Sequence, residues 1–100
     1  MVEKFKVTKR LKGIDDAMEY EIIQIITTAN SKYEKTNYNE NAKYISNILS
    51  SKYGGQWSIY ISPRNGTFGG YLFIEKDRLI TLEIEDQRYT VWNSTSNSNK

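Results

Sequence analysis

Apolar residues recur along this chain with two different spacings, and the change between them separates a helical first half from a β-rich second half. Residues 2–12 alternate loosely around Phe5, Val7 and Leu11, the pattern of a short strand that Gly13 ends. Asp15 and Asp16 follow, both suited to cap a helix and to place negative charge at its N-terminus. Met18, Ile22, Ile25, Ile26, Ala29 and Tyr33 then recur at steps of three and four, which predicts one apolar helical stripe of about four turns. The β-branched isoleucine pairs cost a little helix propensity, and burial of the stripe outweighs it. Residues 34–39 are polar and turn-like, with Asn37 or Asn39 placed to cap a second helix. Ala42, Ile45, Ile48, Leu49 and Tyr53 repeat the spacing, and Gly54-Gly55 supplies the left-handed stop.

Beyond that stop the period falls to two. Trp57, Ile59 and Ile61 face one way, with Ser58, Tyr60 and Ser62 opposite. Pro63-Arg64-Asn65-Gly66 reads as a turn, residues 67–75 as an aromatic and β-branched strand, and Lys76-Asp77-Arg78 as a second, solvated turn. Ile80, Leu82 and Ile84 then alternate with Thr81, Glu83 and Glu85. Asp86-Gln87 is expected to turn the chain into a last strand with Tyr89 and Val91 inward. Trp57 and Trp92 are both expected to anchor the core. The order is strand, helix, helix and four antiparallel strands: an α+β fold with two helices packed on an antiparallel β-sheet. Residues 1–93 form one domain and 94–100 a disordered polar tail.

Composition removes several functions. The 100 residues hold no cysteine and no histidine. Disulfides and thiolate metal sites are therefore excluded, and the commonest metal ligand and general base are missing. No metal, cofactor or enzymatic activity is expected: a carboxylate enzyme would require Glu75, Glu83 or Glu85 to converge in a pocket, and alternation leaves Glu83 and Glu85 on an open face. The net charge of +2 argues against nucleic acid, for which Lys4, Lys6, Lys9, Arg10 and Lys12 form the single basic cluster. The charged opening is unlike a secretory signal, and no apolar run approaches the ~20 residues that span a bilayer. Asn65-Gly66-Thr67 fits a glycosylation sequon and reads better as a turn.

The segment 67–75 carries the functional signal. Gly69-Gly70 interrupts an otherwise strong strand, and Phe68, Tyr71, Leu72, Phe73 and Ile74 make both of its faces apolar. One reading is a strand meant to pair between chains; the other is a central strand with a glycine bulge. Lys52-Tyr53, Trp57, Arg64-Asn65 and Phe68-Gly69-Gly70-Tyr71 together resemble the eight-kilodalton class of dynein light chains, cytoplasmic or axonemal, with this chain a divergent member. From Phe68 to Trp92 the comparison needs no gap; upstream, two extra residues lie between Trp57 and Phe68.

The resemblance implies a homodimer in which each subunit lends the strand 67–75 to its partner's sheet. Extended segments of other proteins then add along the lent strand, by β-augmentation. The peptide-binding residues it implies are Thr67, Phe68, Gly69, Gly70, Tyr71, Leu72 and Phe73, with a groove wall of Leu79, Thr81, Glu83, Arg88 and Thr90. The implied dimer interface comprises Trp57, Ser58, Tyr60, Arg64, Phe68 and Tyr71. Partners would be a dynein intermediate chain or other proteins with disordered linear motifs, and the location cytoplasmic and cytoskeleton-associated, in a microtubule motor complex.

This chain departs from the family where the target is held. The wall is normally aromatic or aliphatic, and only Leu79 keeps that character. Glu83 and Arg88 can face each other across the last hairpin. The family's acidic-then-basic pair at the start of the second helix aligns with Tyr38-Asn39, with Glu40 next, and its interfacial histidine with Ser58. The preference for a Thr-Gln-Thr-like core is therefore in question. The alternative is a structural subunit of a dynein or axonemal assembly whose altered groove does not bind that motif.

Overall fold

The computed structural model describes residues 5–34, 36–63, 74 and 76–95. Among them lie β1 (Phe5–Arg10), α1 (Asp16–Lys32), α2 (Tyr38–Tyr53), β2 (Gln56–Pro63), β3 (Leu79–Ile84) and β4 (Gln87–Thr95). The four strands form one antiparallel sheet in the order β1-β3-β4-β2, with the two helices packed on it. The α+β architecture is as expected; the second of the four strands predicted after the helices, residues 67–75, lies outside the described residues except for Ile74.

Local chemistry explains the helix limits. The Asp15 carboxylate accepts a hydrogen bond from the Met18 N–H at 2.8 Å, satisfying one of the free donors of the first turn. Asp16 and Glu19 in that turn and Lys32 in the last complement the helix dipole. Asn37 occupies the N-cap of α2 without a side-chain cap bond, and Gly54 and Gly55 stop the helix at φ 78° and 75°. Met18, Ile22, Ile25, Ile26 and Ala29 are buried as the spacing predicts, and Ile23 widens the stripe. In α2 the buried set is Asn41, Ile45 and Leu49, strictly four apart.

Asn41 is the position that patterning missed. Its fully buried amide donates to the backbone oxygens of Glu34 at 2.8 Å and Asn37 at 2.9 Å, tying down the connection between the helices. A polar residue among apolar neighbours at four-residue spacing was the available signal.

The core lies between the helices and one sheet face, from which Trp57, Ile61, Ile80, Leu82, Ile84, Tyr89 and Val91 project. Trp57 donates from Nε1 to the Gly54 oxygen at 3.1 Å, and Ser46 donates to the Trp57 oxygen at 2.7 Å, which seats α2 on β2. Tyr89 donates to the Asn30 side-chain oxygen at 3.0 Å, joining β4 to α1. Tyr53 lies 6.0 Å from the Trp57 ring, and burial, followed by the charge of Glu21, pushes its phenol pKa up.

Three expectations are corrected. Trp92 is not a core residue: its register opposite Leu79 and Ser58 puts it on the other face, half-buried, because a single residue step along β4 reverses the side chain. The last hairpin turns at Glu85-Asp86 rather than at Asp86-Gln87; Gln87 pairs with Ile84, which closes a two-residue loop with Glu85 at φ 56°. β4 also continues past Asn93 to Thr95, with Ser94 Oγ donating to the Gln56 oxygen at 3.1 Å.

Gly13 is needed for close approach. Its N–H donates to the Asp77 oxygen at 2.7 Å, and a Cβ there would overlap the backbone oxygens of Lys76 and Asp77 and lie 2.6 Å from the Asp77 carbonyl carbon. The turn at Lys76-Asp77, with φ 57° and 53°, is thus docked on the loop after β1 rather than simply solvated.

Candidate functional site

The sheet face away from the core is the surface on which the sequence-predicted residues meet. Strand alternation and the observed register set its rows. Thr81 lies opposite Thr90, and Thr90 opposite Tyr60. Glu83 lies opposite Arg88, and Arg88 opposite Ser62. Leu79 lies opposite Trp92, and Trp92 opposite Ser58. The five wall residues Leu79, Thr81, Glu83, Arg88 and Thr90 therefore form one continuous patch with Ser58 and Tyr60 at its β2 side.

The patch mixes polar side chains with Leu79, Trp92 and Tyr60, and it is not uniformly wet. Leu79 and Thr90 are each only 4% exposed, although Leu79 takes no part in the helix-side core. Arg88 approaches Glu83 at 3.5 Å, with side chains 26% and 13% exposed. The pair joins β3 to β4 and removes much of the Glu83 carboxylate from water. Ser58 Oγ donates to Ser94 Oγ at 3.1 Å, and Tyr60 is 41% exposed.

The structure does not bring every candidate here. Trp57, expected at an interface, is 3% exposed and turned into the core, so on β2 it is Ser58 and Tyr60 that face outward. Arg64, Thr67, Phe68, Gly69, Gly70, Tyr71, Leu72 and Phe73 lie outside the described residues. Glu40 sits in the first turn of α2, beside Tyr38 and Asn39. Glu85 is in the turn, out of line with Glu83. No cluster of three or more possible metal ligands occurs among the described residues. Among them, no helix is long and apolar enough to cross a membrane.

The family model described as dynein light chain type 1 matches residues 6–94. The chain belongs to the dynein light chain family. This is a family of non-enzymatic binding adaptors. The match spans both helices and all four described strands but for Phe5 and Thr95 at the outer ends of β1 and β4. No curated protein matches this light chain in sequence. Among solved structures it is similar to the dynein light chain-like domain of a Fasciola hepatica calcium binding protein, FhCaBP2. The native crystal form gives a TM-score of 0.80 at 13% identity, covering 93% of each chain. A mercury derivative of the same domain gives 0.79 at 12% identity, covering 95% of the light chain and 96% of the neighbour. The corresponding domain of CsTAL3 gives 0.72 at 10% identity, covering 90% and 92%. At such identities the likeness is one of fold.

Proposed function

We propose that this light chain is a homodimeric hub that takes up extended segments of partner proteins by strand addition, with a groove of altered, more polar specificity. The observation that carries the reading is the assembly of Leu79, Thr81, Glu83, Arg88 and Thr90 into one patch on the face opposite the helices. Family membership supplies the adaptor role, and residues 67–75, if lent between subunits as the resemblance implies, would supply the backbone edge. Two such sites in one dimer gain from bivalency, since the second segment binds at high effective concentration. Its place would be the cytoplasm, on a dynein motor or a related cytoskeletal scaffold, with a dynein intermediate chain as one partner. The chain would act as a single domain that runs to the end of β4, with the polar residues beyond it as a tail.

A wall of aromatic rings grips an apolar or threonine-rich segment through contact area, whereas the Glu83–Arg88 pair offers charge and hydrogen bonds instead. A peptide with a Thr-Gln-Thr core should therefore bind the natural chain weakly. Replacing Thr81 and Glu83 by tyrosine and Arg88 by alanine should raise its affinity at least about tenfold in calorimetric titration. Equal affinity for both proteins would sink the altered-groove reading. The partial burial of Glu83 against Arg88 also supports a second reading, a structural subunit whose groove is occupied within one assembly. In that case neither protein would bind the peptide.

A further inference from the structure

The sheet has a second margin, far from β2. β1 ends the strand order, and among the described residues no strand pairs on its outer side. Five of its six residues are exposed, Val7 alone being half-buried. Its side chains are placed by a bulge. Lys6 lies opposite Glu83 and Val7 opposite Leu82, but Lys9, not Thr8, lies opposite Thr81. Thr8 is the extra residue, held by its hydroxyl donating to the Thr81 oxygen at 3.2 Å.

The consequence is a sorting of charge. Without the bulge, Lys6 and Lys9 would point to opposite faces; with it, both stand on the helix-free face at neighbouring pleat positions. Arg10 is turned to the helix side, where Asp16 at 2.9 Å and Glu19 at 2.8 Å engage it. Lys12 has Asp77 at 3.8 Å. Lys6 and Lys9 form no ion pair among the described residues and are exposed. Residues 5–12 hold four cationic side chains and no acidic one, so two copies meeting edge to edge along β1 would set lysine against lysine. The same charges complement an acidic strand. Phe5, 49% exposed on the other face, adds apolar surface at the strand's start.

We propose that the open edge of β1 is a docking site for an extended acidic segment of another protein, which adds as a strand and sets carboxylates at alternate positions against Lys6 and Lys9. This edge is separate from the wall formed by β3 and β4, and the proposal stands whether or not that wall binds peptide. It also replaces the view of the N-terminal lysines as one diffuse basic cluster, since Arg10 and Lys12 already have carboxylate partners.

The test is titration of the full chain, followed through its backbone amide resonances, with two blocked hexapeptides of equal composition. One alternates glutamate and valine. The other places its glutamates side by side, so that they fall on opposite faces of a strand. The alternating peptide should shift the amides of β1 and bind about fivefold tighter than its isomer. The Lys6→Ser/Lys9→Ser variant, altered only at exposed positions, should erase that preference. A Lys32→Ser/Lys43→Ser variant of equal net charge should keep it. Equal binding of the two isomers overturns the proposal, as do shifts confined to β3 and β4. So does a single-stranded oligonucleotide that moves the β1 amides where the peptides do not, since that would assign the lysines to phosphate.

Discussion

Replacing Gly13 by alanine tests how the loop after β1 is locked to the turn that enters β3. Gly13 does not have a positive φ, so alanine meets no backbone penalty, and the stiffer unfolded chain would favour it by roughly 0.4–1 kcal/mol. Against that stands the overlap of the new methyl with the backbone oxygens of Lys76 and Asp77. Neither oxygen can move as a flexible side chain would, and relief of such overpacking costs about 1–3 kcal/mol. The 2.7 Å bond from the Gly13 N–H to Asp77 would be stretched or lost, a further cost of about 0.5–1.5 kcal/mol. The net expectation is destabilisation by about 1–3 kcal/mol. Urea unfolding followed by tryptophan emission should show it as a midpoint lowered by about 1–2 M. Lys12→Ala is the control, because it removes only the exposed 3.8 Å ion pair to Asp77 and should cost no more than about 0.5 kcal/mol. A Gly13→Ala midpoint equal to or above the parent's would refute the reasoning, and the close approach would then be tolerated by a shift of the turn.

Other substitutions probe separate links. Asp15→Ala removes the acceptor of the Met18 N–H and should cost about 1 kcal/mol in the same unfolding assay. Asn41→Ala removes two side-chain hydrogen bonds to the oxygens of Glu34 and Asn37, which keep their backbone donors, and a loss of roughly 1–3 kcal/mol is expected, with faster amide exchange around the connection between the helices. A double-mutant cycle on Glu83 and Arg88 should return a coupling of about 0.5–1 kcal/mol that shrinks in high salt; no coupling would mean that the pair is not held in solution. The folded state raises the Tyr53 pKa through burial, so this phenol's contribution is complete below the unfolded value near 10 and fades as pH rises through the higher folded value. The parent should therefore lose stability relative to Tyr53→Phe only above about pH 10, as compared by denaturant midpoints at about pH 8 and about pH 11.

Both helices were legible in the sequence because burial follows the three-to-four spacing directly. Gly54-Gly55 and Asp15 then fixed two of the four helix ends. The hairpin β3–β4 was legible through alternation, and with it the pairing of Glu83 with Arg88. What stayed hidden depends on partners distant in sequence. The bulge at Thr8 leaves no local mark, since it is set by register against β3. Gly13 looked like a strand terminator, whereas its packing against Lys76 and Asp77 arises from tertiary contact. Trp92 differs from these: it is one step from the inward Val91, so alternation alone puts it on the outer face, and its hydrophobicity was the misleading signal. The wall residues could be named from family resemblance, but the burial of Leu79 and Thr90 could not, because it depends on neighbours distant in sequence.

The central claim is that this light chain works as a pair. Sedimentation equilibrium of the purified chain across micromolar concentrations tests it most directly. The account predicts a mass near twice 11.7 kDa, unchanged between pH 5 and pH 7 because the chain has no histidine to protonate in that range. A mass of 11.7 kDa at every concentration would contradict it, and would point to a subunit that completes its sheet with a different partner.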